Sequence, residues 1–441
     1  MLKKPSSSSG TSLFFVGGLF AVLLLASAGW AQTPMPSIPA GETRRILSVL
    51  AADSMRGRRV FTTEIDRAAD FIASEFRAAG LKPWNNSDRF LQEFALIRPR
   101  TISLKAWLDT VEIDPKQVCI VSAAERVRIQ EGSGYETAYI RSGQNLLAEA
   151  RKWSRQPGNR VVWVDKSHAA SFSGLARLRS SFFKTPYTVA FILSDLPPAA
   201  FLVESTQEIS EQVLSNVVGV LPGRSGNLTG EYVVFSAHYD HLGVGRPVNG
   251  DSIYNGANDD ATGVTAVIQL ARYFREAGTN ARTLVFVAFT AEESGGFGSQ
   301  YFSRTVDPDR VSAMLNIEMI GTESKWGAGS AYITGYEKST LGQILSANLK
   351  GSGFDFYADP YPQQQLFYRS DNATLARLGV PAHTLSTSKM DTEPHYHRPS
   401  DEVATLDLEN MTAIIRAIAL SAASLVAGKD TPSRVNTGEL R

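Results

Sequence analysis

Cysteine is nearly absent from this 441-residue chain, Cys119 being the only one. A single thiol excludes an intrachain disulfide, so stability has to come from a packed core, where a lone Cys reads as a small buried hydrophobe. An excess of either charge is lacking too. Lys plus Arg and Asp plus Glu both number 44, which removes the electrostatic case for nucleic acid or an anionic membrane as a partner. Internal repeats are absent. The length leaves room for one large domain plus an inserted or flanking module.

Long apolar runs are missing as well, except at the start. Lys3 and Lys4 precede a Ser-rich stretch, an apolar run covers residues 13–25, and Ala26-Ser27-Ala28 follows, with a second small-residue site at Ala31. A basic start, a short apolar run and an A-x-A site describe a secretory signal peptide over 1–31. The expected chain is exported to the periplasm or the extracellular space, with no stable membrane association after signal removal. An uncleaved anchor is the alternative, because the apolar run extends toward Trp30. No Cys follows the run, which speaks against a lipid anchor.

The remainder divides by pattern. Ile65, Ala68, Ala69, Ile72, Phe76 and Ala79 keep helical spacing until Gly80 and Pro83, so residues 32–94 are read as a helical N-terminal part. Residues 95–208 carry short β-type runs, at 118–122, 160–164 and 187–193, separated by Ser, Gly and Pro. They are read as an inserted, mostly β module. Residues 209–430 alternate strand and helix, before a polar tail at 431–441. Buried-strand runs are expected at 232–237, 283–290, 313–317 and 382–385. Helical faces follow through Val264, Val267, Ile268, Ala271 and Phe274, and from Leu408 to Leu425. The fold class is α/β, a mixed, mainly parallel sheet covered by helices on both faces. Ligands in such sheets bind beyond the carboxyl ends of the strands.

That is where the polar residues fall. His238 ends the first strand, with Asp240 two residues on to accept its other ring N–H, and His241 following as a neighbour. Asp259 and Asp260 open the next helix and suit either a cap or a bridge between two cations. Glu292 and Glu293 follow the second strand, where one can bind metal while the other shuttles a proton. Glu318 stands inside an apolar run, which is costly without a compensating cation or hydrogen bonds. His395 and His397 lie together near the C-terminal helix, whereas His168 reads as structural and His383 as core. Each fragment alone also fits a polar turn or a solvated loop. Together they supply nitrogen and oxygen donors without thiolates, a set that suits zinc, with manganese and cobalt left open.

In this order, His238-x-Asp240, Asn258-Asp259-Asp260-Ala261, Glu292-Glu293, Asn316-x-Glu318-Met319-Ile320-Gly321 and Tyr396-His397-Arg398-Pro399-Ser400-Asp401 resemble a known set of motifs. They are those of the cocatalytic dizinc aminopeptidase family, of the aminopeptidase S and aminopeptidase Y type, whose relatives include glutamate carboxypeptidase and the transferrin receptor. The likeness covers nearly all of 217–425 and extends to Met55-Arg56-Gly57-Arg58 and the helix up to Leu81-Lys82-Pro83. It implies a zinc-exopeptidase, phosphorylase/hydrolase-like fold, two zinc ions per chain and a peptide substrate. Asp259 would bridge the ions, with a cis peptide to Asp260. His238 and Glu318 would hold one ion, Glu293 and His397 the other. Glu292 would be the general base acting on a metal-bridging water, and Asp240 the partner of His238.

Three positions depart from the family pattern. Glu318 stands where many members have Asp, and Thr262 where Ser is commoner. The inserted module occupies the position of the family's protease-associated domain without its motifs. Ser370-Asp371-Asn372 resembles a segment lining the substrate side. The expected function is that of an exported zinc aminopeptidase. A carboxypeptidase or N-acyl amino acid deacylase on the same site would need cations on a pocket wall that sequence alone does not locate. A glutaminyl cyclase would use one zinc, against which the complete second set of donors speaks. A non-catalytic binding protein on this scaffold would be expected to lose donors.

Overall fold

The computed structural model describes residues 36–195 and 197–440; the expected signal peptide lies outside them. Among the described residues no helix is long and apolar enough to cross a membrane. In chain order the strands that matter are β1 (Leu91–Leu108), β2 (Val118–Val121), β3 (Glu136–Ile140), β4 (Arg160–Val164), β5 (Val189–Leu193), β6 (Phe201–Leu221), β7 (Tyr232–His238), β8 (Thr283–Phe289), β9 (Val311–Ile317), β10 (Ser330–Ile333), β11 (Asp355–Ala358) and β12 (Ala382–Ser386). The helices are α1 (Ala40–Leu50), α2 (Thr63–Ala78), α3 (Leu146–Arg155), α4 (Thr262–Ala277), α5 (Phe297–Thr305), α6 (Leu341–Asn348), α7 (Asn372–Ala376) and α8 (Leu408–Ser421).

The large sheet runs β11–β10–β12–β9–β7–β8–β6–β1. Its centre, β12–β9–β7–β8, is parallel, and β6 and β1 add antiparallel strands on one side. The central strands are continuous apolar runs because both faces are covered. Val233, Phe235, Leu284, Phe286 and Leu315 pack under α1, α2, α4 and α8. Val234, Val285, Val287 and Met314 face the opposite way, against Phe302 of α5 and Leu375 and Ala376 of α7. Phe235 stacks between Phe274 and Phe286, with centroids 5.3 and 5.5 Å away.

The long strands β1 and β6 pair from Val217–Leu91 to Phe201–Leu108, with one register shift at Thr206/Gln207. They carry the large sheet unbroken into the inserted segment, so residues 95 and 208 fall inside strands. The inserted segment has its own four-stranded sheet, β2–β5–β4–β3, in which β3–β4 and β4–β5 are parallel. It also carries α3, which the β-type reading did not predict; Asn145 caps it by accepting from the Ala148 N–H at 3.0 Å. Within the polar C-terminal segment Val435 is buried and its N–H donates to the Gly379 carbonyl at 3.0 Å.

Register aligns the carboxyl ends of the central strands, with His238 opposite Phe289, Ser236 opposite Asn316 and Ile317 opposite Leu385. Helix α4 is pressed onto this level. A Cβ on Gly263, in its first turn, would lie 2.2 Å from the Ile317 carbonyl oxygen, so only glycine permits the approach that brings residues 259–260 beside Glu318.

His383 is fully buried on β12, as its core assignment requires. Its Nδ1 lies 2.8 Å from the Thr334 carbonyl and its Nε2 2.7 Å from the Ser339 hydroxyl, which fits a neutral ring. Burial pushes its pKa from 6.5 down to about 4. A base depressed in the folded state contributes stability that is complete above its unfolded pKa and is lost as pH falls toward the folded one. Urea unfolding at several pH values should therefore show His383→Asn losing less stability than the wild type between pH 6.5 and 4, by at most about 3 kcal/mol. Identical pH profiles would remove the imidazole from this account.

Candidate metal centre

Beyond the ends of β7, β8 and β9 the chain turns inward three times. His238 closes β7. Glu292 and Glu293 follow β8 after Ala291, whose φ of 58° is left-handed, and Glu318 is followed by Met319 at φ 54°. His397 itself has φ 56°. Non-glycine residues rarely adopt this region, and strained positions of this kind collect at functional sites. The Asp259–Asp260 peptide is cis.

These turns bring donors together around Asp259, which is almost fully buried. Its Oδ1 lies 3.1 Å from His238 Nε2, and its Oδ2 lies 3.3 Å from His397 Nε2. Thus the two oxygens of one carboxylate face two different imidazoles. His397 Nε2 is also 3.2 Å from Glu293 Oε1. Candidate ligand atoms of His238, Asp259 and Glu318 lie within 4.8 Å of one another, and so do those of His241, Asp259 and Glu293. His241 is therefore closer to the centre than its neighbour role in the sequence suggested: its Nδ1 is 2.9 Å from Glu293 Oε1. His395 instead directs Nδ1 to the Ser400 hydroxyl at 3.0 Å, and in the inserted module His168 Nε2 lies 3.0 Å from the Arg141 carbonyl.

A second layer of acids holds the backbone. The nearest acceptor for His238 Nδ1 is the main-chain carbonyl of Asp240, at 3.1 Å, whereas the Asp240 carboxylate is 3.8 Å away. That carboxylate accepts instead from the Glu292 and Glu293 N–H groups, at 3.0 and 3.3 Å. Asp260 accepts from the N–H groups of His238, Gly263 and Met319, tying β7, α4 and the segment after β9. Asp401 accepts from Asn258 and Asp259, at 2.8 and 3.1 Å. Arg58, fully buried, donates to the carbonyls of Leu50, Tyr239, Asn255 and Gly256. Asp401 and Arg58 stood in quoted motifs without a role; in each case the signal was a charged residue inside a conspicuous motif.

The electrostatics are those of an acid cluster short of positive charge. Burial pushes Asp240 and Glu318 up to about 7, and Asp371 and Asp401 up to about 6. Burial, and then the charges of Glu318, Asp371 and Glu293, hold Glu292 well above the usual carboxylate range. Burial opposes the imidazolium of His397, yet Asp259 and Glu293 carry it to about 10. The same opposition at His238 is overcome by Asp259, Glu292 and Asp260. Among the described residues several inward atoms lie close to one another yet form no hydrogen bond of acceptable geometry: His238 Nε2, both ring nitrogens of His241, Glu293 Oε1 and Glu318 Oε2. Orphaned buried donors and acceptors on converging side chains fit cation ligands, and an all-nitrogen-and-oxygen set fits zinc.

Two pockets flank the cluster. One, beside Glu318, is lined by Met319, Tyr332, Leu366, Met390 and Tyr396. The other, beside Glu292, is a cleft of about 500 Å³. Ser370 and Arg369 line both.

Comparison with known proteins agrees with this architecture. Over 206 residues, 44% of this chain and 53% of the relative, the sequence is 30% identical to a probable leucine aminopeptidase of Trichophyton verrucosum. A probable leucine aminopeptidase of Arthroderma benhamiae is 30% identical over 205 residues, again 44% of this chain and 53% of the relative. The chain spans about half the length of the curated relatives it matches. Its fold is similar to that of a zinc aminopeptidase from Bacillus subtilis, at a TM-score of 0.53 and 17% identity, covering 91% of this chain and 99% of that one. An aminopeptidase from Aneurinibacillus sp. strain AM-1 is similar at a TM-score of 0.52 and 16% identity, covering 90% and 95%. Residues 216–422 match the model of Peptidase family M28. The segment that supplies every carboxylate and imidazole of the cluster is thus the one similar to Peptidase family M28.

Proposed function

We propose that the protein is an exported, zinc-dependent aminopeptidase that removes a residue with an apolar side chain from the amino end of peptides. The observation that carries this reading is the division of Asp259, whose two oxygens face His238 on one side and His397 on the other, with Glu292 on the adjoining cleft wall. The names of the curated relatives, leucine aminopeptidases, support the reaction. The pocket of Met319, Tyr332, Leu366 and Met390 supports an apolar first residue.

In this reading His238 and Glu318 would hold one zinc ion and Glu293 and His397 the other, Asp259 would contribute to both, and His241 is a further nitrogen beside Glu293. When bound, a zinc pair acidifies water and polarises the scissile carbonyl. Glu292 takes the proton of the attacking water and returns it to the departing amine. A carboxylate that burial holds above its usual range is suited to both directions. Asp240 keeps Glu292 in reach through its main-chain N–H. Asp260 and Asp401 fix the backbone that carries Asp259 and Met319.

A second reading, a carboxypeptidase or N-acyl amino acid deacylase, draws support from the arginines on the Glu292 cleft. Leucine amide against its N-acetylated form separates the two: an aminopeptidase cleaves only the first. Export rests on the sequence of the first residues. The mature chain is expected to begin at Gly29 or Gln32 in N-terminal mass spectrometry, and an intact Met1 would end that part of the proposal.

Elemental analysis of the purified chain should give about two zinc per molecule, falling to about one in His397→Ala. Unchanged stoichiometry would transfer the role to His241, and absence of zinc would favour a binding protein. Glu292→Gln should retain the metal and lose about 10²- to 10⁴-fold in kcat on leucine amide. Wild-type turnover in that variant would withdraw the proton-transfer role.

A further inference from the structure

The cleft beside Glu292 has an unusual wall. Arg151 and Arg155, one helical turn apart on α3, reach it from the inserted module. Arg304 on α5, Arg369 and Arg377 complete it from the M28-like segment. Among the described residues none of these five arginines forms an ion pair with a carboxylate. Some arginines elsewhere are paired, as in Arg45–Glu42, Arg160–Glu136, Arg272–Glu75 and Arg282–Glu231, and others, such as Arg58, are spent on main-chain carbonyls; five without a carboxylate around one cleft is the feature that stands out. Arg304 lies over the Phe183 ring at 4.2 Å and Arg377 faces Tyr368 at 5.8 Å. Arg369 donates to the Gln364 side-chain oxygen at 3.1 Å. These contacts orient guanidinium groups without neutralising them. The crowding has an electrostatic signature: desolvation, and then the charges of Arg151, Arg377 and Arg304, lower the pKa of Arg155.

Like charges drawn from two parts of the fold into one concavity attract an anion. Guanidinium forks match a carboxylate with paired hydrogen bonds. Position relative to the reacting groups selects its source. The pocket with Met319, Leu366 and Met390 on its wall stands on the Glu318 side, the arginine cleft on the Glu292 side, where the departing amine receives its proton, and Arg369 lines both. A substrate spanning both puts its first side chain in the pocket and its leaving portion among the arginines.

We propose that α3 and the M28-like segment jointly build a carboxylate-binding subsite for the leaving portion, so that the preferred substrates are short peptides carrying a carboxylate there. The proposal rests on the aminopeptidase reading for the direction of the substrate. The carboxylate is the chain terminus of a dipeptide or an acidic side chain in the residue after the cut. The inserted module is then a part of substrate selection.

The test uses the zinc-loaded full chain and compares Leu-Gly with Leu-Gly-amide, and Leu-Glu-amide with Leu-Gln-amide. The acid member of at least one pair should have the higher kcat/KM, by roughly tenfold or more. The first pair reports a terminal carboxylate and the second a side-chain one. In Arg151→Gln/Arg155→Gln the acid-to-amide ratio should fall toward one, with partial recovery in Arg151→Lys/Arg155→Lys. A ratio near one in both wild-type pairs, or a double variant that slows acid and amide alike, overturns the subsite. Calorimetric binding of the uncleavable reduced-bond analogue of Leu-Gly and of its amide gives a readout without turnover. An acid preference there that the double variant abolishes, in a chain that cleaves no leucyl substrate, sinks the aminopeptidase reading and leaves the subsite standing. Cleavage of leucine amide without any acid preference does the reverse.

Discussion

Carboxylates crowded into a nearly dry space are the constraint from which the rest of this structure follows. Asp240, Asp259, Asp260 and Asp401 are each at most about 2% exposed, and Glu292, Glu293 and Glu318 stand among them. Such a group is tolerated only when N–H donors, cations or protons balance it. The chain supplies the first through Asp260, Asp240 and Asp401, each of which gathers main-chain N–H groups from segments distant in sequence. The permanent cation Arg58 is spent on four carbonyls around the same turns. What is left over is Asp259, Glu293 and Glu318 with three imidazoles, the groups whose donor atoms converge.

The surrounding fold serves that arrangement. Parallel strands end at one level, so residues just beyond them meet without long excursions. Gly263 lets α4 touch the end of β9, which brings the Asp259 turn to Glu318. Left-handed Ala291, Met319 and His397 aim their segments inward. Tight packing on both sheet faces holds these positions against their local cost.

Much of this was legible in the sequence. β7, β8, β9 and β12 are unbroken apolar runs, and α2 and α4 show their periodicity, because burial on both faces or on one stripe leaves a direct mark on residue choice. The closing helix was legible in extent, although α8 ends at Ser421 and a short helix, Ala423–Val426, follows. The long β1–β6 pair was not legible. Residues 98–105 of β1 are all exposed or intermediate and include Pro99, and the buried positions facing them on β6 are polar, Ser205 and Gln207, so no apolar alternation marks the pair. α3 was hidden because only Leu146 and Ala150 are buried in it. At the site, each donor turn stood out as a polar interruption after an apolar strand. His241 did not, since its place beside Glu293 depends on how two loops fold back, which spacing does not encode. The arginine wall was beyond sequence altogether, being assembled from residues between 151 and 377.

The continuous β1–β6 ribbon has a further meaning. A module joined by two short tethers would swing on them, and its side chains would sample many positions over the cleft. Here the tethers are themselves paired strands, hydrogen-bonded to each other along their length, with Ala106 and Val203 of their outer part in one cluster with Val118, Val161 and Ile192 of the smaller sheet. The ribbon acts as a stiff stalk whose twist, rather than any loop, dictates where α3 stands. Adding or deleting a matched pair of residues along it would rotate and lift the whole cap, shifting the reach of Arg151 and Arg155 without altering a single residue that lines the cleft.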